Sequence, residues 1–346
     1  MEERFMLNSL FSRIILAVLI IGITSCSSSP KEKPVKNGVD AEIHNLQDST
    51  LLFYSLMHPI DIIKGKGPTF SKEITVDSNG IFVEPMDLTE GYYFLEYDHN
   101  KQLYFIQNGK RLSLDFDAQK PSEKPDFSGK LKYESRYLFD RHMAHAGFIA
   151  NESKYYTYNE DDYLEVVNQL RGKMDTMLVM YIANHPTGSQ HFMQQEALTN
   201  LYFMASYLEA YPIMRTSNEI PISKHFYTST ESLNLNDTNA LSNPQFYEFI
   251  KNYVQNRAGQ IKTKADVYRH IQFTDSLFTI DQYKDYIRFH EAKSIAQDST
   301  IVDDKNWMLD TLQSLISDNE IQQFLYKNIV NDTSQRNFNN VILEDQ

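Results

Sequence analysis

Cys26 is the single cysteine among 346 residues, and that decides the first chemistry to consider. Thiol–disulfide exchange needs a nucleophilic thiolate and a resolving partner, normally spaced Cys-x-x-Cys, so one cysteine supplies neither that reaction nor an intrachain disulfide. His142 and His145 lie three apart in Arg141-His142-Met143-Ala144-His145, with Asp140 adjacent. On a helix that spacing puts two imidazoles on one face, where a metal could bridge them. No third ligand is signalled nearby and the zincin glutamate is missing, so two surface histidines are expected and no metal site is assigned. Asp77-Ser78-Asn79-Gly80 begins like a calcium loop, but the twelfth position is Leu88 instead of a bidentate glutamate, which favours a hairpin turn. Asn159-Glu160-Asp161-Asp162 could hold a cation; at a helix start it more simply caps the helix and complements its dipole. Neither Gly-x-Ser-x-Gly nor Gly-x-x-x-x-Gly-Lys occurs, and with 46 acidic residues any catalytic carboxylate pair named from sequence is arbitrary. No catalytic residue and no cofactor is assigned.

The elements that must position any site change character midway. From Gly38 to Gly129 the signals are for strands: Val39-Ala41-Ile43 alternates with polar residues, and Thr50 to Leu56 is β-branched and aromatic. Ile74, Val76, Phe82, Met86 and Leu88 continue the pattern, followed by Gly91 to Tyr97, Leu103 to Ile106 and Leu112 to Phe116. Turn chemistry separates them at Asp77–Gly80, Asp98-His99-Asn100 and Asn108-Gly109. Pro59 to Pro68 reads as a longer loop. Tyr92, Tyr93, Phe94, Tyr97, Tyr104 and Phe105 crowd two adjacent strands, where an outward row could stack on sugar rings. Alternation gives each face only half of them, so core plus an interface is expected.

After Gly129 the period becomes helical. Tyr163, Val167, Leu170, Met174, Met177 and Tyr181 share one face, and Leu131 to Ala150 precedes them. Leu198, Leu201, Ala205 and Leu208 resume the period, with Tyr211-Pro212 expected to end that helix. Residues 213–241 read mostly as loop, with a short helix near Lys224 to Thr228. Asn243-Pro244 opens the next helix as cap and first turn. Helices are expected over Lys264–Phe278, over Asp281–Gln297 with Asp281 as N-cap, and as a last pair, Asp303–Ile316 and Asp318–Val330, each with an acidic first turn. The predicted fold class is α+β in two domains: an N-terminal antiparallel β-sandwich or barrel-like domain over residues 38–129, then an all-α helical domain over 130–335, with a tail over 336–346. A chain of this length suggests two folded units on size alone.

The start of the chain is set apart by its apolar run, Ile14 to Ile23, about half the roughly twenty residues a spanning helix needs. It fits a signal-peptide core, with Met6 an alternative initiator that removes Glu2 and Glu3 from the leader. Ile23-Thr24-Ser25-Cys26 resembles the lipobox of bacterial lipoproteins. The resemblance implies cleavage between Ser25 and Cys26, a signal peptide over residues 1–25, a lipid on Cys26 and a flexible tether over 26–37. The expected location is the cell envelope, lipid-anchored to the inner or outer membrane, with the folded part in the periplasm. A formal charge of −13 argues against nucleic acid, whose phosphates need a basic surface.

Val76-Asp77-Ser78-Asn79-Gly80-Ile81-Phe82, Gly91-Tyr92-Tyr93, Leu103 to Leu112 and Asp126-Phe127-Ser128-Gly129 form a strand, a Gly turn, a strand, a Gly-x-x-Leu strand and a closing Phe-x-Gly turn. In this order they resemble the N-terminal β-domain and helical region of TlpA-like thioredoxin-family lipoproteins of the Bacteroidetes. That family's activity resides in a following Cys-x-x-Cys domain, which has no counterpart in this sequence, so no catalytic residue carries over. The resemblance implies a membrane-anchored, non-catalytic scaffold or interaction module related to thiol-disulfide reductase systems, or one part of a truncated or split reductase. A protein partner or homo-oligomer is expected beside the lipid bilayer. A small-molecule or glycan-binding lipoprotein, using the aromatic strands or a cleft, is the alternative; a hydrolase would require convergent carboxylates or a Ser–His pair.

Overall fold

A computed structural model describes residues 38–77, 79–86, 88–215, 222–301 and 304–330. The expected signal peptide, the tether and the tail, and with them Ser25 and Cys26, lie outside the described residues.

Among the described residues eight strands come first: β1 (Gly38–His44), β2 (Thr50–Ser55), β3 (Ser71–Thr75), β4 (Ile81–Pro85), β5 (Gly91–Tyr97), β6 (Asn100–Ile106), β7 (Arg111–Asp117) and β8 (Asp126–Gly129). They form two four-stranded sheets, ordered β4-β1-β7-β8 and β3-β2-β5-β6. The expectation of an antiparallel domain needs correcting in one sheet. β1 runs parallel to β7, pairing Val39 with Leu112, Ala41 with Leu114 and Ile43 with Phe116, so that sheet is mixed. The parallel register lines up the apolar positions of both strands on one face, which a one-residue slip would reverse. That face shares a core with the second sheet: Tyr97 of β5 meets Phe116 of β7 at 4.9 Å, while Phe53 and Tyr93 stack at 5.3 Å.

The turns follow their side chains. Asp77 Oδ1 accepts from the backbone N–H of Asn79 and of Ile81, and Gly80 sits at φ +76°, where a Cβ would come 2.0 Å from the Ile43 carbonyl oxygen. This is the hairpin turn expected at Asp77–Gly80. Between β5 and β6, Asp98 and His99 both take positive φ without a glycine. The Asp98 carboxylate accepts from the backbone N–H of Gln47 and Asp48, a constraint that over-determines the strained turn.

The stretch Pro59–Pro68 is only partly loop. Pro59–Ile63 is a helix, α1. His58 caps it: Nδ1 accepts from the Ile60 N–H, while Nε2 bonds the Leu241 carbonyl at 2.6 Å. Histidine is no standard N-cap, which is why the sequence hides this helix. Ile60 and Ile63 enter the core of the later helices, and Lys64 pairs with Asp318 and Glu320.

The helical region comprises α2 (Lys132–Ile149), α3 (Glu152–Tyr155), α4 (Glu160–Asn184), α5 (Gln190–Met214), α6 (Thr228–Glu231), α7 (Pro244–Ala258), α8 (Lys264–Leu277), α9 (Asp281–Gln297), α10 (Lys305–Ser314) and α11 (Asn319–Leu325). The expected face of α4 is buried at Tyr163, Val167, Met174 and Tyr181, and the expected cap of α7 is present, with Asn243 Oδ1 accepting from Gln245 and Phe246 N–H. A 3-10 turn at Lys224–Tyr227 matches the short helix expected there.

Three boundaries move. Pro212 does not end α5, which continues to Met214: Tyr211 stacks on Tyr163 at 4.2 Å and donates to the Tyr158 carbonyl at 2.6 Å, holding the turn despite the missing N–H. Ile280, not Asp281, is the cap residue of α9, leaving Asp281 as a first-turn carboxylate. α10 has no acidic first turn and is entered through Asp304 at φ +61°, while α11 ends in a π turn, Tyr326–Val330.

Candidate functional site

The outer face of the β5–β6 hairpin is covered by helices. Tyr92 lies 5.2 Å from Phe105 and 6.2 Å from Phe192, and Phe105 packs on Phe192 at 4.9 Å, joining Tyr137, Leu138 and Tyr181 in one cluster. The aromatic strands therefore supply core on one face and a sheet–helix interface on the other. At the edge of that interface opens a cleft of about 440 Å³, walled by β5, β6, α2, α5 and the start of α7.

One stripe of α2 faces it: Ser135, Leu138, His142 and His145, with Arg141 beside them. Their spacings of three, four and three residues follow the helical period. From α5 come Gln195, Glu196, Thr199 and Phe203. Glu196 is only 1% exposed and lies on the same face as Phe192 and Phe203, a carboxylate inside an apolar stripe. It accepts from Arg141 Nη1 at 2.6 Å and from Tyr92 Oη at 2.8 Å. Burial pushes the Glu196 carboxyl above its ordinary range, against the pull of the Arg141 charge and the tyrosine hydroxyl. Burial opposes the Arg141 charge too, but the facing carboxylate holds that guanidinium up. Such a pair contributes little net stability against apolar replacements, yet losing one partner is costly. Its clearer role is to fix a charged group rigidly at the wall.

The histidines are less basic than usual. Burial, then the Arg141 charge, pushes His145 down to about 3, and the same causes lower His142. At neutral pH His145 is an uncharged ring, Nε2 lying 3.1 Å from Tyr207 Oη with Phe203 edge-on at 3.9 Å. Among the described residues the buried Ser135 Oγ has no hydrogen-bond partner, and neither has Tyr137 Oη or Asn200 Oδ1.

His142 and His145 do share a helix face, the cleft wall. Among the described residues no group of three or more His, Cys, Asp or Glu side chains gathers at metal-binding geometry. Among the described residues no imidazole hydrogen-bonds Ser135 Oγ, and Glu196 is engaged by Arg141 and Tyr92. The Asn159–Asp162 cluster caps α4 and ties down a neighbouring segment. Asn159 accepts from Asp162 N–H at 3.0 Å, and the Glu160 carboxylate takes the Ser223 N–H and hydroxyl at 2.8 and 2.6 Å. Arg141, Glu196 and Ser135 were not singled out from sequence; a glutamate inside the apolar face of a helix was the available signal for a buried cationic partner.

The chain matches no protein-family model, no curated protein and no solved structure. Among the described residues no helix is long and apolar enough to cross a membrane.

Proposed function

We propose that this protein is a lipid-anchored envelope protein that binds a small molecule in the cleft between the β5–β6 hairpin and helices α2 and α5. The observation that carries the reading is the Arg141–Glu196–Tyr92 arrangement at the wall of a 440 Å³ cleft in which apolar and aromatic side chains alternate with polar ones. Ligand pockets combine this size with a few fixed polar groups on an apolar wall. Binding is favoured over turnover because Arg141 and Tyr92 already engage the cleft glutamate. Anchoring through Cys26 rests on the lipobox-like sequence, and kinship with TlpA-like lipoproteins rests on the β-region motifs. A thermal-shift panel of glycans and metabolites tests the reading, because a ligand that binds only the native state raises its melting temperature. Silence across the panel would remove it.

A scaffold function is the second reading, favoured by β4. This edge strand exposes Ile81 at 38% and Val83 at 64% on its outer side, with Phe82 turned inward. An exposed apolar edge is a pairing surface that proteins usually blunt. If it is used, Val83→Lys lowers the sedimentation coefficient of an assembly; a monomer in both forms speaks against it.

A further inference from the structure

Resting on the cleft reading above, we infer that the ligand is a monocarboxylate with an apolar body, and that its carboxylate is taken by the Nε–Nη2 edge of Arg141. The guanidinium commits Nη1 to Glu196, which fixes its plane. Among the described residues neither Nε nor Nη2 has a protein acceptor, yet neither is a buried unpaired atom. That edge therefore reaches accessible space, and the space bordering Arg141 is the cleft. Nε and Nη2 together form the fork that grips a carboxylate with two parallel bonds. The protein uses the same edge elsewhere: Arg111 holds Asp40 with Nε on Oδ2 at 3.1 Å and Nη2 on Oδ1.

Charge favours a single negative charge on the ligand. The charged residues lining the cleft are Lys101 and Arg141 against Glu90 and Glu196. Lys101 already lies over the Phe94 ring at 4.8 Å, and His145, held in its uncharged form, adds a polar edge without a cation. Those two cations and two carboxylates already balance, so a dianionic phosphate would add twice the uncompensated charge of a single carboxylate, which the open edge of the guanidinium can take by two hydrogen bonds. The Ser135 hydroxyl, buried and unpaired on the same wall, is a second polar group pointing to a ligand. Leu138, Phe139, Met174 and Phe203 leave an apolar surface for the remainder of the molecule.

The test uses the full-length protein in detergent with matched acid and amide probes: 3-phenylpropionate and its amide, hexanoate and hexanamide, glucuronate and glucuronamide, together with phenyl phosphate. Calorimetric titration is expected to find an acid that binds about tenfold or more tighter than its amide. Arg141→Lys, which keeps a cation beside Glu196 but loses the fork, is expected to weaken that acid to a similar degree. If this variant does not fold, the double variant Arg141→Gln/Glu196→Gln, which leaves no buried charge unmatched, replaces it. Amides binding as tightly as acids overturn the inference but leave the cleft reading standing. Phenyl phosphate binding more tightly than every acid overturns the choice of carboxylate. Unchanged acid affinity in the Arg141 variant overturns the assignment to that residue. Silence from every probe in titrations of a protein that also fails the broader thermal-shift panel removes the cleft reading and the inference together. Silence here with hits among neutral compounds there removes the inference alone.

Discussion

The 2.6 Å bond from Arg141 Nη1 to Glu196 Oε2 joins helices α2 and α5 across 55 residues of sequence, with Tyr92 of the sheet as third member. Three elements thus meet at one carboxylate that has almost no contact with water. Glu196→Ala leaves the Arg141 charge without its acceptor and is expected to cost about 3–5 kcal/mol of stability, read from urea unfolding. The double variant Arg141→Met/Glu196→Leu, which removes both charges, should recover most of that loss. A double variant no more stable than the single one would show that the pair does more than balance charge.

How much of this could be read in advance depends on range. Turns and caps are local, so Asp77, Asn159, Asn243 and the face of α4 announce themselves within a few residues. The parallel pairing of β1 with β7 is a contact between residues about 73 positions apart and leaves no local mark. α1 stayed hidden because its cap is a histidine and because its short apolar face is completed by α9 and α11. The cleft was half visible. The His142–His145 spacing marks the right helix face but reads as two surface histidines, while the residue of consequence is the arginine beside them, whose meaning depends on a glutamate from another helix.

Acid should loosen the fold. Burial first, then nearby positive charge, pushes His145 and His290 down to about 3 from an ordinary 6.5. Between those values the unfolded chain binds protons that the folded chain refuses. Stability is therefore unaffected by these rings above about pH 6.5 and is lost as pH falls below it. From pH 7 to pH 5 the loss is expected at about 1–2 kcal/mol per histidine, visible as a lower urea midpoint. His145→Asn should flatten part of that slope; an unchanged slope would assign it to other groups.

The β3–β4 turn admits no side chain at Gly80. A Cβ there would sit 2.0 Å from the Ile43 carbonyl oxygen, in a left-handed backbone conformation. Gly80→Ala should destabilise by roughly 2 kcal/mol or more, and Gly109→Ala, also at positive φ but with open space around it, by less. Thermal melts of the two variants side by side measure the contact separately from the backbone preference.

Ile63 and His58 tie the β2–β3 connection to the helices. Ile63 is fully buried in their core, so Ile63→Ala should cost about 2–5 kcal/mol. His58→Ala loses the cap of α1 and the 2.6 Å bond to Leu241, about 1–2 kcal/mol in all. Hydrogen exchange sharpens the comparison: each substitution should raise exchange at Ile60 to Lys64 amides before it does so at β1 or β7. Uniform acceleration through both sheets would mean that the hook and the sheets open as one unit.

The anchor is tested apart from the fold. If Cys26 carries the lipid, Cys26→Ala should move the protein from the membrane pellet to the soluble fraction once the leader is removed. Burial of the aliphatic chains is what holds such a protein, at about 0.8 kcal/mol for each methylene in the bilayer, and no described helix is apolar and long enough to take over. The stability and ligand response of the released protein should match the parent, because the cleft is built wholly from residues beyond Lys36. A variant that stays in the pellet with its leader uncleaved would make the apolar run Ile14–Ile23 the anchor, and Cys26 would lose the role assigned to it.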